Sequence, residues 1–200
     1  MSSARPDSPL SPWWRHSVIL VMAFGFSLLT VVTVLTYTNA PPVPERVTDT
    51  RGATLFTRDD VEHGQEVFFR FGLMEHGSLW GHGAYLGPDY SAEYLHRLAE
   101  IARDALSRGR SGLAYAALDP DAAASVDASV HRLLKENRYD PKTGVLRFTP
   151  AEASAWEIQQ AEWTRYFSGE VAAPGLPPRY IRDPGELRAL NSYLAGGAWA

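Results

Sequence analysis

The chain has 200 residues, 45% of them hydrophobic, and a formal net charge of −4. This size supports one ordinary domain with an accessory element, while the acidic balance and the lack of a Lys/Arg-rich patch in the sequence argue against a nucleic-acid partner. The chain contains no cysteine, which excludes disulfides, zinc–thiolate sites, iron–sulfur clusters and haem attached through a C-x-x-C-H motif.

The first element in chain order is an uncharged apolar run, residues 18–35 (VILVMAFGFSLLTVVTVL). As a helix this run would span about 27 Å, which is close to the hydrocarbon thickness of a bilayer. Trp13, Trp14 and Tyr37 flank it, as aromatic residues do at a membrane interface. We therefore predict a transmembrane helix over residues 13–38, in contact with the lipid bilayer.

The residues around this run predict its orientation. Arg5 and Arg15 precede it and favour a cytoplasmic N-terminus. Residues 1–12 are thus predicted to be a cytoplasmic tail, and the chain beyond the helix is predicted to be periplasmic, at the inner membrane of a bacterium. The alternatives are a buried core helix, which is seldom uncharged on every face, and a cleaved signal peptide. The length of the apolar run and the pair Pro41–Pro42, which would follow the cleavage site, disfavour the signal peptide.

After a proline-containing extended spacer (NAPPVPERV), the outer segment shows repeated helix-start signals. The sequence VLRF predicts at most a short strand, so we expect a small, nearly all-α domain over residues 39–182 and a further helix over 183–200. That last helix ends in the apolar sequence YLAGGAWA, typical of a segment that leads towards another membrane span. The expected helix-start signals are Thr57, Ser91, Asp119 with Pro120, the capping box Thr149–Glu152, and the sequence DPGE at 183–186.

Residues 72–90 (GLMEHGSLWGHGAYLGPDY) form a loop rich in glycine, histidine and aromatic residues. A phosphate-binding loop is disfavoured because the sequence lacks G-K-[ST] and G-x-G-x-x-G, and no serine-nucleophile motif is present. A histidine metal site is a second alternative. It is also disfavoured, because no two histidines have the spacing of one helical turn. The histidines in question are His76 and His82 in the loop, with His63 and His96 on the flanking helices.

The composition of this loop favours a structural or docking role. Glycines allow a close approach of the backbone, and Trp80 and Tyr85 supply area for burial. The predicted interface residues are Trp80, Gly81, His82, Gly83 and Tyr85.

The same loop, with TYTNAPPVPERV before it and GLPPRYIRDP and YLAGGAWA after it, resembles the N-terminal region of quinol-dependent nitric oxide reductases, which belong to the haem–copper oxidase superfamily. The resemblance extends from Trp13 to Ala200. It implies a mainly α fold, with a transmembrane helix followed by a periplasmic cytochrome c-like domain that lacks haem. It also implies that residues 183–200 lead into a catalytic membrane core.

The resemblance implies a reason for the absence of haem. In sister enzymes that take electrons from cytochrome c, a C-x-x-C-H motif precedes a similar G-x-G-A-Y loop. Leu73 and His76 occupy the two cysteine positions here, and Gly77 occupies the position of the axial histidine. We expect the vacated haem position to be filled by Phe68, Phe69, Phe71, Leu73, Met74 and Trp80.

The family's reaction converts two NO to N2O and water with electrons from quinol. The resemblance implies haem b, non-haem iron and calcium in the full-length enzyme, no cofactor and no catalytic residue in this segment, and the catalytic transmembrane core as its partner. It also implies that the Tyr85 backbone carbonyl binds the calcium ion. The alternative is a stand-alone, membrane-anchored periplasmic scaffold or binding module without a redox role.

Overall fold

The computed structural model describes residues 13–171 and 173–200 of the chain. The predicted cytoplasmic tail, residues 1–12, lies outside the described residues. The chain divides into two compact units, Met1–Pro42 and Val43–Ala200.

The first unit contains helix α1, Trp13–Thr38, which coincides with the predicted span. Its apolar window has a mean hydropathy of 2.6, and the helix is long and apolar enough to cross a membrane. The hydroxyls of Thr30, Thr36 and Thr38 each donate to the carbonyl four residues earlier, so these polar groups are satisfied within the helix itself. A helix that satisfies its own polar groups is the form that a lipid environment requires.

In the second unit, the capping signals place most helices where the sequence predicts them. Thr57 and Thr149 both form complete capping boxes, with Asp60 and Glu152 respectively, and Asp119 accepts two amide hydrogen bonds at the next helix. These caps satisfy amides that have no partner within the helix. They precede α2 (Arg58–Arg70), α4 (Pro120–Lys135) and α5 (Pro150–Ser168).

The predicted cap of helix α3 is wrong. Helix α3 spans Tyr90–Ser111, and its N-cap is Asp89, whose side chain accepts a hydrogen bond from the amide of Ala92. Ser91 lies inside the first turn and donates its hydroxyl to Asp89. Aspartate and serine are both good N-cap residues. Asp89 takes the N-cap position because its side chain also makes hydrogen bonds within the preceding loop.

The last helix, α6 (Pro184–Trp199), packs against α2, α3 and α5 and is capped by Asp183. Gly64 of α2 meets the backbone of Ala189, where a Cβ atom would collide with the carbonyl. Leu190 and Leu194 are fully buried in this contact region. The helix expected over 183–200 is therefore part of the compact unit that begins at Val43.

A small four-stranded sheet lies beside the helices, in the order β2-β1-β6-β5. The central pair, β1 and β6, is parallel and aligns the buried Val47 with the buried Leu146, whereas β1–β2 and β5–β6 are antiparallel. The short strand expected at VLRF is confirmed as β6. The strands are β1 (Arg46–Thr48), β2 (Thr54–Thr57), β5 (Tyr139–Asp140) and β6 (Val145–Arg147).

Two apolar clusters hold the unit together. The larger one joins α2, α3, α5, α6 and the sheet, and is rich in aromatic residues. The smaller one lies between α3 and α4 around Ala102, Val126 and Val130. The mainly α fold class predicted from the sequence is confirmed.

Candidate functional site

The loop between α2 and α3 folds back as a tight hairpin. Gly72 (φ 59°) ends α2, a 3-10 turn covers Leu73–Glu75, and strands β3 (Ser78–Leu79) and β4 (His82–Gly83) pair in antiparallel fashion. The two residues between the strands, Trp80 and Gly81, have φ values of 51° and 75°. Positive φ at both positions is the requirement of a type I′ turn. It is unfavourable for a tryptophan, so the surrounding contacts must hold this conformation.

Asp89 supplies those contacts. Its carboxylate accepts hydrogen bonds from the Ser78 hydroxyl (2.8 Å), the Gly81 amide (2.6 Å), the Ser91 hydroxyl (2.6 Å) and the Ala92 amide (2.9 Å). Partial burial opposes ionisation of this group, but the four hydrogen bonds outweigh it and lower the pKa of Asp89 to about 2. One carboxylate thus joins strand β3 and the turn of the hairpin to the start of α3.

The ring of Trp80 lies on the surface and does not fill the core. It is 59% exposed, and its indole N–H donates to the carbonyl of Gly197 at 2.7 Å, near the end of α6. The prediction of Trp80 as a core filler is therefore wrong. A shallow apolar depression of about 310 Å³ adjoins the ring and includes Leu95 and Ala198 in its lining.

Further along the loop, Tyr85 is 86% exposed and Leu86 is 64% exposed. Trp80, Tyr85 and Leu86 are thus three large apolar side chains of one loop that are exposed to solvent, and we call them together the Trp80 face. The segment from 77 to 88 contributes no Asp, Glu, Lys or Arg to it.

A glycine is required at position 83 of the loop by close contacts. Gly83 has a φ of 142°, and a Cβ atom there would collide with the carbonyl of Gly77 and lie 3.0 Å from that of Met74. The neighbouring Ala84 amide donates to the same Met74 carbonyl at 2.8 Å. Glycine at position 83 therefore lets the outgoing strand lie directly on the preceding turn.

The region corresponding to the haem-attachment motif is filled by packed side chains. Leu73 is fully buried, and a Cβ atom at Gly77 would lie 2.7 Å from the Tyr90 ring. Tyr90 is itself fully buried and packs against Phe68, Trp163 and Phe167, with ring centroids 5.7 to 5.9 Å apart. The ring of Tyr90 thus occupies the space next to the position expected for an axial histidine.

The other residues predicted to fill the haem position differ in burial, according to their place on helix α2 and on the 3-10 turn. Phe68 is fully buried as expected, and Phe71 and Met74 are half-buried at the edge of the main cluster. Phe69 is 60% exposed, so its prediction as a filler is wrong. Phe69 lies about 100° further around the helix axis than Phe68, which places its ring outside the buried face that includes Val67 and Phe68.

The four candidate histidines have separate environments. His76 is 4% exposed, and its Nε2 atom lies 2.7 Å from the Tyr166 hydroxyl. His82 is exposed on β4, while His63 and His96 lie beside glutamates of their own helices. In the described ranges, 13–171 and 173–200, no group of three or more His, Cys, Asp or Glu side chains is arranged to hold a metal.

Residues 44–200 match the family model of the nitric oxide reductase NorB cytochrome c-like domain. The chain belongs to this family. Membership implies that this NorB domain associates with a larger membrane enzyme. No curated protein sequence matches the chain significantly.

Sequence reasoning missed three residues that shape this cytochrome c-like domain. Asp89 organises the hairpin, Tyr90 fills the space beside Gly77, and Tyr166 contacts His76 from a helix 90 positions later. The sequence did contain one signal for Asp89, because its place directly before a helical pattern is typical of an N-cap residue. The roles of the two tyrosines depend on contacts between distant segments, which no local pattern indicates.

Proposed function

We propose that the chain is the membrane anchor and haem-free cytochrome c-like domain of a quinol-dependent nitric oxide reductase. The full-length enzyme would convert two NO to N2O and water with electrons from quinol. This segment would supply no catalytic residue, and its role would be to dock on the catalytic transmembrane core.

The packing around Gly77 does not fit a haem. Covalent attachment needs two cysteine thiols and an axial histidine, whereas Leu73, His76 and Gly77 stand at these positions. Accommodating the macrocycle would also require Tyr90 and its aromatic neighbours to move out of a densely packed cluster. The domain therefore offers no route for electrons through a c-type haem, which supports quinol as the donor to the core.

The properties of α1 support the anchoring role. A helix of 26 residues with no buried side chain in its unit has the length and composition of a bilayer span. We place the second unit on the periplasmic side of the inner membrane, because Arg5 and Arg15 precede the uncharged apolar run, residues 18–35.

The observation that carries the docking role is the Trp80 face. A tryptophan held at positive φ by a dedicated carboxylate, with most of its ring in solvent, is a costly arrangement for a free surface. Exposed aromatic residues of this kind are typical of the centre of a protein interface. The proposed partner is the catalytic core, which would carry haem b and non-haem iron. A stand-alone periplasmic scaffold is the rival, and it would leave this face free for other proteins.

The backbone of Tyr85 supports a calcium site shared with that core. Among the described residues, no hydrogen bond is made to the Tyr85 carbonyl oxygen, and carbonyl oxygen is a suitable ligand for calcium. When bound, the ion would neutralise negative charge at the interface between the domain and the core. This chain would contribute the one carbonyl, held in place by the Gly83 contacts.

The electron donor distinguishes this proposal from its rival. The full-length enzyme, purified in detergent, should consume NO when supplied with a reduced quinol and should not do so with reduced cytochrome c. NO consumption driven equally well by cytochrome c would contradict the haem-free electron route. The absence of any NO consumption, together with an open reading frame that stops after Ala200, would support the scaffold.

A further inference from the structure

His76 joins four segments of the domain. It follows the 3-10 turn, its Nε2 atom contacts the Tyr166 hydroxyl of α5, and its carbonyl accepts the Gly87 amide at 2.6 Å. In the proline-rich segment 173–178, Gly175 approaches the same ring, since a Cβ atom there would lie 3.4 Å from Nδ1. Gly87 is so close that a Cβ atom would collide with Nε2. The imidazole therefore has no room to move unless one of these segments moves.

The hydrogen bonding of this ring favours its neutral form. Nδ1 is buried and has no hydrogen-bond partner among the described residues. A proton on Nδ1 would leave a buried donor unsatisfied, so the neutral ring should carry its proton on Nε2 and donate it to Tyr166. Protonation of both nitrogens would add a charge as well as an unpaired donor at this site.

Within the part of the chain that the structure describes, no acidic group stabilises a charge on the ring. Tyr166 from α5 and Tyr90 from α3 face it, and burial raises the pKa of both hydroxyls, so both stay neutral. The surface loop and the proline-rich segment present Gly87 and Gly175 to the ring. Glu75, which precedes His76 in the sequence, is exposed to solvent, and Glu93 on α3 pairs with Arg97.

We propose that His76 is a proton-operated latch. In its neutral form it holds the surface loop 84–88 and the proline-rich segment 173–178 against α5, and its protonation releases them. The inference rests on the proposed function in one respect, since the loop that it holds is part of the proposed docking face.

The pH range of the latch follows from linkage. Burial lowers the pKa of His76 below its usual range near 6.5. The latch is fully closed above about pH 6.5, because the ring is then neutral in the closed and in the open state. As the pH falls below about 6.5, the open state binds the proton first, and the stability of the closed state decreases until the lower pKa is passed.

Hydrogen exchange of the whole chain in detergent micelles tests the latch. The reporters are the amides of Ala84 and Gly87, which donate to the carbonyls of Met74 and His76. Their protection factors, corrected for intrinsic exchange, should fall as the pH is lowered from about 7.5 to about 5. His76→Gln should remove this pH dependence, and His82→Gln, a change of an exposed histidine in the same loop, should retain it.

Protection that is independent of pH in the unmodified chain, or an equal fall in His76→Gln, would overturn the latch. If His76→Gln does not fold, NMR titration of the histidines in the unmodified chain decides the question. The resonance assigned to His76 should titrate below pH 6.5, and a pKa at or above that value overturns the proposal. None of these measurements uses NO reduction, so failure of the latch leaves the docking role intact.

Discussion

At the scale of single residues, the loop combines backbone strain with a strong local restraint. The positive φ of Trp80 is held by the Trp80 amide, which donates to Ser91, and by the Gly81 amide, which donates to Asp89. Asp89 stays ionised to about pH 2, so this restraint is present throughout the physiological range. The hairpin is thereby preorganised, which lowers the entropy lost when a partner binds.

The glycine at position 83 gives the first prediction at this scale. Gly83→Val should remove bound calcium and NO reduction from the full-length enzyme, because a β-branched residue collides with Gly77 and cannot readily adopt a φ of 142°. Tyr85→Phe should keep both within about twofold, since the backbone carbonyl is unchanged. The measurements are calcium content by atomic emission and the rate of NO consumption. A folded Gly83→Val enzyme with stoichiometric calcium would exclude the Tyr85 carbonyl as a ligand.

At the scale of elements, helix α2 contributes to the core through one face. Gly64 and Phe68 face α6, and Phe68 also packs edge-on against Tyr90 at 5.7 Å. Phe69 points away from the core. The aromatic pair therefore contains one core residue and one surface residue of equal size.

This pair gives a matched test of the packing. Phe68→Ala should lower the free energy of unfolding by about 3–5 kcal/mol, because it leaves a cavity in the aromatic cluster. Phe69→Ala should lower it by less than about 1 kcal/mol, because the side chain is mostly exposed. Chemical denaturation of the chain in detergent, followed by tryptophan fluorescence, measures both. Equal losses for the two variants would contradict the assignment of the core face.

The helices could largely be predicted from the sequence because their signals are local. Thr57, Asp119 and Thr149 act within one turn of the residues that they cap, so neighbouring positions in the sequence suffice to find them. Of the sheet, only strand β6 was predicted, since strands of two to four residues carry almost no periodic signal and β1 pairs with β6 from a distant part of the chain. The hydrogen-bonding role of Asp89 was missed because its partners in the hairpin lie 8 and 11 positions away in the sequence.

At the scale of the whole molecule, two units have distinct roles in the proposed enzyme. The first carries the helix that can span a membrane, and the second carries the filled haem position and the Trp80 face. The resemblance of the sequence to nitric oxide reductases, confirmed by the family match over residues 44–200, relates these features to one enzyme. In the proposed enzyme, the filled position would account for the lack of a redox role, and the exposed face would serve docking.

The docking claim is tested most directly by the quinol-driven rate of NO consumption of full-length enzymes that differ at one exposed aromatic residue. Trp80→Gly removes the ring and keeps a residue suited to positive φ, while Phe69→Ala removes a ring of nearly equal exposure outside the loop. The account predicts a fall of more than about threefold for Trp80→Gly, as expected for a central interface residue, and little change for Phe69→Ala. Equal rates for Trp80→Gly and the unmodified enzyme would contradict docking through the Trp80 face.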